Sequence, residues 1–347
     1  MTPPAARGFR MPPEWAPHRR CWMAWPSREE LWDRVGPRGL DDACRAYAEV
    51  ARTIAEFEPV TMVANPADTA DVSLACGGGV DVLSMPIDDS WLRDYGPTFL
   101  TDGRGGLEVL RWKFNGYGGR YAPIDSDLAL APAIAERCGA GFTEGPIYGE
   151  GGAIHVDGEG TALVTEECLL NPNRNPGADK ATIEAALRDH LGVDVVIWLG
   201  QGLVDDETDG HVDEVACFAA PGRVLALTTQ DKADDNHERL QDNLARLRAA
   251  VDAGGRRLEV VELPQPPKRT APDGTRLALS YVNFYLAGDG QRQGGVVAPA
   301  FEVAEDDRAW RLLRDAFPDR RVVMVPVMDI VVGGGGIHCI TQQEPAI

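Results

Sequence analysis

The chain carries, at residues 151–157, the stretch Gly-Gly-Ala-Ile-His-Val-Asp, and parts of this stretch return twice further along. Its His-Val-Asp recurs at 211–213, directly after Gly210, and its Gly-Gly-x-Ile-His recurs as Gly-Gly-Ile-His at 335–338. Each copy follows a strand-rich region and a turn. Glycine-bearing corners that recur along a chain are typical of modular architectures, although a repeat this short is also compatible with chance.

Five segments with helical signals are spread over the whole chain around these corners. They are a segment that opens at Asp41 and Asp42 and places Tyr47, Val50, Ala51, Ile54 and Phe57 on one face, the segments 126–138 and 178–191, a segment with Leu240, Leu244, Leu247 and Val251 that ends at Gly254, and the segment 310–317. Short β-branched runs alternate with them at 59–63, 80–85, 193–199, 223–228, 296–298 and 321–325. This alternation predicts an α/β fold, and five helices with related corners suit about five modules arranged radially.

Composition limits the function classes that are open to the chain. Its 347 residues are 44% hydrophobic and 25% charged, which is ordinary for a folded protein and excludes disorder as the main state. The 34 Lys and Arg against 54 Asp and Glu give a net charge of −20, which argues against a nucleic-acid surface and favours small cations as partners. No long linker divides the sequence, and the Pro-rich stretch 263–270 is interpreted as a loop. We therefore expect one catalytic domain over 1–347.

Cysteine usage and hydropathy predict the compartment. Seven cysteines with no CxxC spacing are typical neither of a disulfide framework nor of a structural zinc site, and they favour a reducing environment. Residues 1–15 lack the apolar segment of a signal peptide, and no apolar run approaches the ~18 residues that span a bilayer. The expected location is the cytoplasm, without contact to a membrane.

An acidic stretch at 205–213 contains the second glycine corner. It begins like a calcium-binding loop, but the twelfth position, where such a loop needs a bidentate Glu, is Ala216. If this piece is a strand, His211 and Asp213 share a face, and a His beside a carboxylate suits acid–base chemistry. The alternative is a surface carboxylate beside a structural His.

A second mixed stretch, at 87–97, places Trp91 and Asp94 just before a Gly-Pro turn. An indole face next to a carboxylate can hold a cation. Alternatively, Arg93 pairs with Asp88 or Asp89 and the Trp is simply packed.

Two glycine-rich segments present single reactive side chains. Glu150 comes directly before Gly151 and Gly152, and four glycines at 333–336 precede Cys339. Phosphate binding by the four glycines is poorly supported, because the GxxxxGK pattern is absent. A glycine-rich turn that exposes a thiol is better interpreted as a turn that positions a catalytic nucleophile.

Together these motifs resemble the agmatine deiminases of the bacterial-type peptidylarginine deiminase family. The resemblance covers almost the whole chain, in the family's order and spacing, through 91–97, 150–160, 167–171, 173–176, 210–213 and 335–343. It implies the pentein α/β propeller, in which five ββαβ-like modules surround a pseudo-fivefold axis with a central active site. It also implies a homodimer or larger homo-oligomer, and neither a metal nor an organic cofactor.

The resemblance implies a role for each candidate residue. Cys339 corresponds to the nucleophile and His211 to the general acid/base, whereas His155 is not catalytic. Asp94 and Asp213 correspond to the carboxylates that bind the guanidinium. Further members of the set are Glu150, which supports the catalytic His, and Glu207 with Trp91, which receive the distal amine of agmatine.

These roles predict hydrolysis of agmatine to N-carbamoylputrescine and ammonia through an S-amidino-cysteine intermediate, with His211 kept protonated by Asp213 and Glu150. Free or peptidyl arginine as substrate and a non-catalytic polyamine-binding protein are the alternatives. Three departures from the family's pattern leave room for altered preference: Gly336 in place of Asn, Tyr95 in place of Thr, and Asp209-Gly210 in place of Asn-Gly.

Overall fold

The computed structural model describes residues 2–33 and 38–347, and all of its helices and strands lie in those ranges. The strands are β1 (His18–Ala24), β2 (Val60–Ala64), β3 (Val80–Ser84), β4 (Thr98–Thr101), β5 (Leu107–Lys113), β6 (Gly141–Tyr148), β7 (His155–Val156), β8 (Thr161–Thr165), β9 (Val195–Leu199), β10 (Ala216–Ala220), β11 (Arg223–Thr228), β12 (Glu259–Pro264), β13 (Tyr285–Ala287), β14 (Gly295–Ala300), β15 (Arg321–Pro326) and β16 (Thr341–Pro345). The helices are α1 (Glu29–Asp33), α2 (Gly39–Ala55), α3 (Thr69–Cys76), α4 (Leu92–Tyr95), α5 (Gly116–Gly119), α6 (Asp125–Cys138), α7 (Glu166–Leu169), α8 (Lys180–Leu191), α9 (His237–Ala249), α10 (Glu305–Ala316) and α11 (Met328–Val331). Single 3-10 turns lie at Ala5–Arg7, Gly151–Ala153 and Val212–Glu214.

Four of the five sheets repeat one plan. In each, the first two strands are antiparallel, the third is parallel to the second, and a helix connects the second strand to the third. The four units are β4-β5-α6-β6, β7-β8-α8-β9, β10-β11-α9-β12 and β13-β14-α10-β15. Two parallel strands need such a crossover, because the end of the first strand and the start of the second lie at opposite ends of the sheet.

The fifth sheet joins the two ends of the chain. Its order is β16-β1-β2-β3, with β16 antiparallel to β1 and β2 parallel to β1 through α2. The last strand of the chain therefore supplies the first strand of the first module. This completes five ββαβ modules, and the α/β class with the five-module plan is confirmed.

The five predicted helices correspond to α2, α6, α8, α9 and α10. In α2, for example, Tyr47, Val50 and Ile54 are fully enclosed as expected, whereas Trp310 of α10 is exposed. Three boundaries differ from the prediction: α2 ends at Ala55, before Phe57, α10 begins at Glu305 instead of 310, and α9 is shorter than expected. Helix α9 ends at Ala249, and Val251 forms a bridge with Arg257 because the chain turns at once around Asp252.

The six predicted strand runs correspond to β2, β3, β9, β11, β14 and β15, each within two residues of its observed bounds. The stretch interpreted as a loop, 263–270, begins inside β12, which continues to Pro264. In the described ranges, no helix is both long and apolar enough to cross a lipid bilayer.

One feature of the repeat decides where side chains meet. Each module has a short corner just before its first strand, and each corner carries one polar or reactive residue: Asp94 before β4, Glu150 before β7, Asp213 before β10, Asn283 before β13 and Cys339 before β16. Since the modules repeat one geometry, equivalent corners converge on one place.

Candidate active site

A narrow cavity lies at the point where the corners converge. The residues that line it are Trp91, Asp94, Tyr117, Tyr121, Glu207, Thr208, Gly333, Gly334 and Cys339. Four residues that were predicted from the sequence, Trp91, Asp94, Glu207 and Cys339, therefore share one wall. The other three, Glu150, His211 and Asp213, lie directly behind it and are fully buried.

Cys339 reaches the cavity through the turn that follows the four glycines. Its side chain is 5% exposed, and its Sγ lies 3.7 Å from Asp213 Oδ2. Burial, together with the nearby Asp213 and Glu214, raises the pKa of the Cys339 thiol well above its usual value. The thiol is therefore neutral before substrate binds, and a cation must arrive or a carboxylate must be neutralised before the thiolate becomes stable.

His211 lies between two carboxylates. Its Nδ1 is 3.7 Å from Asp94 Oδ1, and its Nε2 is 3.6 Å from Glu150 Oε2. Burial by itself would lower the pKa of His211, but Asp94, Cys168 and Glu150 outweigh it and raise that pKa well above the usual value. The imidazole is thus held as a proton donor.

The peptide of Gly152 brings three of these groups together. Its N–H donates to Asp94 Oδ1 at 2.9 Å. A Cβ at this position would lie 2.6 Å from His211 Nδ1 and 2.9 Å from Asp213 Oδ2. Glycine is therefore needed at position 152 for a steric reason, since any side chain there would fill the space between the reacting groups.

His211 and Asp213 lie in a turn rather than in a strand. His211 precedes the 3-10 turn Val212–Glu214, and strand β10 begins only at Ala216. The prediction that alternation along a strand aims both side chains at one face was wrong in its cause. The two side chains nevertheless both lie next to Gly152.

Asp94 is held by α4, a single helical turn. Its Oδ2 accepts a hydrogen bond from the Tyr117 hydroxyl at 2.8 Å, and its Oδ1 accepts from Gly152. Burial raises the pKa of Asp94 to about 6; His211 counteracts this effect, and Asp213 reinforces it. The carboxylate is thus costly to ionise until a cation is bound.

Asp213 has a different partner from the one expected. His338 donates from Nδ1 to Asp213 Oδ2 at 2.8 Å, while its Nε2 lies 2.8 Å from Glu14 Oε1. Burial alone would raise the pKa of Asp213, but His338 lowers it below the usual value. The direct contacts of His211 are Asp94 and Glu150, whereas Asp213 interacts with the His211 charge without an ion-pair contact.

His155 lies one layer further back. Its Nε2 is 3.6 Å from Glu14 Oε2, and its ring stacks on that of His338 with centroids 6.3 Å apart. This placement behind Asp213 fits a supporting role, in keeping with the prediction that His155 does not take part in catalysis.

Glu150 is fixed by a buried ion pair. Arg174 donates from Nε to Glu150 Oε1 at 2.8 Å, and its Nη1 also contacts Asp209. Burial opposes ionisation of Glu150, but His211 and Arg174 lower its pKa below the usual value. Arg174 belongs to a stretch that the family resemblance had already marked, although no role was given to it.

The lining of the cavity also has an aromatic and acidic part. The Trp91 indole packs against Trp32, with ring centroids 6.0 Å apart. The Tyr121 hydroxyl donates to Glu207 Oε2. Trp91 and Glu207 therefore do share a pocket with Cys339, as the sequence predicted.

Arg93 makes neither of the contacts that were considered for it. It is buried and its Nη1 lies 3.4 Å from Glu14 Oε1, while its Nε donates to the His338 carbonyl at 3.3 Å. The carboxylate of Asp89 instead pairs with Arg28 at 2.8 Å. Arg93 thus points away from the cavity and supports its floor, as a structural residue would.

Several site residues were missed by sequence reasoning. They are Asn283, Glu214, Tyr117, Tyr121, Glu14 and His338. For Asn283 a signal was available: it precedes a strand at the same place as the four corners that were found, but without a glycine to mark it.

Three buried groups have donor atoms within 4.8 Å of one another and could in principle hold a metal ion: Glu14 with His155 and His338, Glu150 with Cys168 and His211, and Asp213 with Glu214 and Cys339. Each group includes members that are already hydrogen-bonded or ion-paired within the protein. The arrangement suits proton transfer and cation binding.

Comparison with known proteins identifies the family of this chain. The sequence matches the family of Porphyromonas-type peptidyl-arginine deiminases over residues 10–345. It is 46% identical to the agmatine deiminase of Stutzerimonas stutzeri over 99% of this chain and 97% of that protein. The agmatine deiminase of Pseudomonas aeruginosa is 44% identical over 99% of this chain and 97% of its own length.

Solved structures show the same fold. The structure of the agmatine deiminase of Enterococcus faecalis superposes with a TM-score of 0.93 at 36% identity, covering 99% of this chain and 98% of that chain. A DDAH structure from Pseudomonas aeruginosa, at 14% identity, shares the fold with a TM-score of 0.52 over 94% of this chain and 99% of that one. The chain therefore belongs to the Porphyromonas-type peptidyl-arginine deiminase family, and its five modules form the pentein propeller.

Proposed function

We propose that this protein is an agmatine deiminase, which hydrolyses the guanidinium of agmatine to N-carbamoylputrescine and ammonia. The observation that carries the proposal is the distribution of charge in the cavity. Two carboxylates, those of Asp94 and Glu207, line it together with Cys339, and no Lys or Arg is among the described residues that line it. A pocket lined by two carboxylates fits a molecule that carries two cationic groups.

The first half of the reaction forms a covalent adduct. Asp94 and Asp213 bind the planar guanidinium, and its positive charge stabilises the Cys339 thiolate. As the guanidinium binds, the Cys339 thiol releases its proton to solvent, and the thiolate adds to the central carbon and forms a C–S bond. His211 gives its proton to one nitrogen, the C–N bond breaks, and ammonia leaves. An S-amidino-cysteine and a neutral His211 remain.

The second half returns the enzyme to its starting state. Neutral His211 takes a proton from water, and the hydroxide adds to the amidino carbon. The C–S bond then breaks, and the added hydroxyl loses its proton as its oxygen becomes the carbonyl of the urea group, which keeps the two remaining nitrogens. The departing Cys339 thiolate takes up a proton, which restores the neutral thiol and balances the proton released in the first half. Glu150 and Asp94 favour the reprotonation of His211, because both carboxylates lie within 3.7 Å of its ring nitrogens.

Substrate choice depends on the distal end. Arginine carries an α-carboxylate, which would lie next to Glu207, and the described residues that line the cavity include no Lys or Arg to pair with it. The ammonium of agmatine instead receives the Glu207 carboxylate and the Trp91 face. This end of the cavity supports agmatine over free or peptidyl arginine.

A substrate panel tests the proposal. The purified protein is incubated with agmatine, arginine and a peptide with C-terminal arginine, and ammonia and the ureido product are measured. Agmatine should be turned over with a kcat/KM at least about a hundredfold above either arginine form, since an unpaired buried charge costs a few kcal/mol. Preference for an arginine form would reject agmatine as the substrate.

Two variants connect the activity to the site. Cys339→Ser should abolish turnover, whereas Cys76→Ser, a buried thiol in α3, should leave it unchanged. Glu207→Gln should raise the KM for agmatine about tenfold or more with a smaller effect on kcat. Turnover that survives in Cys339→Ser would reject the nucleophile, and binding without turnover in the unmodified protein would favour a polyamine-binding protein.

We also propose that 1–347 acts as one catalytic domain, because all five modules contribute a corner to the site. We expect a homodimer or larger homo-oligomer, which light scattering would test, and a cytoplasmic location, which fractionation would test. The seven cysteines, all of which are unpaired, support a reducing compartment.

A further inference from the structure

Glu214 is a buried carboxyl group beside the nucleophile to which the reaction gives no role. Its side chain is 3% exposed, and its Oε1 lies 3.8 Å from Cys339 Sγ. Its Oε2 has no hydrogen-bond partner among the described residues. A buried polar oxygen without a partner is uncommon and calls for an explanation.

Two adjacent carboxyl groups, those of Asp213 and Glu214, therefore face one sulfur. His338 lies 2.8 Å from Asp213 and compensates its charge, but Glu214 forms no ion pair with any residue that the structure describes. Two anions this close do not both ionise in a buried site, and the one without a cation keeps the proton. Burial and the charge of Asp213 accordingly raise the pKa of Glu214 well above its usual value.

Asn283 connects Glu214 to the nucleophile. Its Nδ2 donates to Glu214 Oε1 at 3.0 Å and lies 3.1 Å from Cys339 Sγ. Its Oδ1 accepts from the backbone N–H of His338 at 2.8 Å, and the residue is 1% exposed. Both ends of the amide are thus fixed, and among the described residues it supplies the one side-chain N–H that points at the sulfur.

Gly336 makes room for this amide. A Cβ on Gly336 would lie 2.5 Å from Asn283 Oδ1, which no real structure tolerates without a shift. The glycine that stands where related sequences often have Asn is therefore explained by the present position of Asn283. Glu214, Asn283 and Gly336 come from three different corners, and together they surround the Cys339 thiol.

We propose that Asn283 stabilises the Cys339 thiolate by donating a hydrogen bond to Sγ, and that Glu214 is the positioning residue that orients the Asn283 amide for this purpose. Protonated Glu214 can do so without repelling the thiolate, because its carbonyl oxygen accepts from the amide. The thiolate gains from an N–H donor, whereas a thiol gains little. The proposal rests on Cys339 as the nucleophile and assigns to the β13-β14-α10-β15 module, through Asn283, its part in the site.

The test is the pH dependence of Cys339 alkylation by iodoacetamide, followed on the peptide that contains Cys339 by mass spectrometry. This readout needs no substrate, so it is informative even if agmatine proves to be the wrong one. The titratable groups that face Sγ are Asp213, Glu214 and Asp94, and the backbone N–H of Gly336 acts with Asn283 in favour of the thiolate. All but the substituted residue are unchanged in each variant.

Asn283→Ala and Glu214→Ala should raise the apparent pKa of alkylation by about one unit or more, which reduces thiolate tenfold at a given pH. The kcat for agmatine should fall about 10- to 100-fold, whereas KM should change less than about threefold, because the guanidinium carboxylates are untouched. Glu214→Gln keeps a carbonyl acceptor and should restore the alkylation pKa and kcat to within about threefold of the unmodified protein.

Asn243→Ala is the matched control, because the side chain of this buried amide in α9 bonds, among the described residues, to the backbone of Gly200 and Gln201 alone. It should lower thermal stability without moving the alkylation pKa. Thermal unfolding and circular dichroism of every variant identify any that fail to fold. An unchanged alkylation pKa in folded Asn283→Ala would overturn the proposal for Asn283, and Glu214→Gln behaving like Glu214→Ala would overturn the neutral positioning role of Glu214.

Discussion

Asp94 illustrates how a site residue that is needed for activity lowers the stability of the fold. It is enclosed by Tyr117, Gly152 and His211, so its charge is removed from water before any substrate is present. Its pKa of about 6 is therefore about two units above the usual 3.8. Burial therefore destabilises the ionised form of the Asp94 carboxylate, and a bound guanidinium stabilises it.

Asp94→Asn should consequently stabilise the fold while it abolishes activity. Because the folded-state pKa lies above the unfolded one, protonation favours the folded state, and stability is lost as pH rises from about 4 through 6. Removing the charge should raise the free energy of unfolding by about 1 to 3 kcal/mol at neutral pH, as two pKa units allow. Urea unfolding at about pH 4 and about pH 7.5 should show that the gain disappears at the acidic value.

Asp213→Asn is the natural contrast. His338 keeps the pKa of Asp213 below its usual value, so this substitution removes a stabilised charge and should lower stability at neutral pH. Two Asp→Asn substitutions in one site should thus change the free energy of unfolding at neutral pH in opposite directions. If both variants moved stability in the same direction, the assignment of His338 to Asp213 alone would be contradicted.

The sequence was most informative about single residues where a glycine or an unusual neighbour marks the place. Asp94, Glu150, His211 and Cys339 each adjoin such a signal. Asn283 does not, because it lies between Val282 and Phe284 in what reads as an ordinary strand approach. The partner of Asp213 could not be predicted either, since His338 and the Glu14 that contacts the other nitrogen of this His come from opposite ends of the chain.

At the scale of elements, the site is built from tight turns supported by regular modules. The turn Gly151–Ala153 packs against the turn Val212–Glu214, and α4 packs against the first of them. Helices such as α2 and α8 could be predicted because burial of one face leaves a periodic pattern, and Gly192 ends α8 in the left-handed conformation. A turn leaves no periodic pattern, and this is why 211–213 was taken for a strand.

Gly152→Ala should test the packing of these turns. The added methyl would lie within 2.6 Å of His211 Nδ1, and it would push apart the groups that must meet the substrate. Activity should fall at least about a hundredfold, since displacements near 1 Å cost that much. The Tm should fall by only a few degrees, because the strain is confined to one turn.

Gly149→Ala is the matched control, because its Cβ would find only ordinary contacts at 3.8 Å and beyond. It precedes Glu150 in the same segment and should retain activity within about twofold of the unmodified protein. A fully active Gly152→Ala would show that His211 and Asp213 are not packed against this corner during turnover.

For the whole molecule, closure of the ring depends on a strand that composition could not reveal. Strand β16 has the sequence Thr-Gln-Gln-Glu-Pro, yet all five residues are buried. Glu344 explains how: it accepts from Trp22 Nε1 at 2.9 Å and lies near Arg19 and Arg20 on β1. Hydrophobic patterning cannot find a polar strand that is satisfied by partners more than three hundred residues away. The five-module plan therefore came from the family resemblance, and the five helices agreed with it.

The net charge of −20 belongs to this scale as well. It should speed the encounter with a dicationic substrate, because the field of an acidic protein reaches about a Debye length, which is about 10 Å at 0.1 M salt and 3 Å at 1 M. Raising NaCl from about 0.02 M to about 0.5 M should lower kcat/KM for agmatine several-fold and leave kcat nearly constant, since the closed pocket is screened less than its mouth. Alkylation of Cys339 by neutral iodoacetamide should change less than about twofold over the same range. A kcat/KM that does not depend on salt would mean that the surplus carboxylates only solvate the surface, and that Asp94, Asp213 and Glu207 attract the substrate at contact range alone.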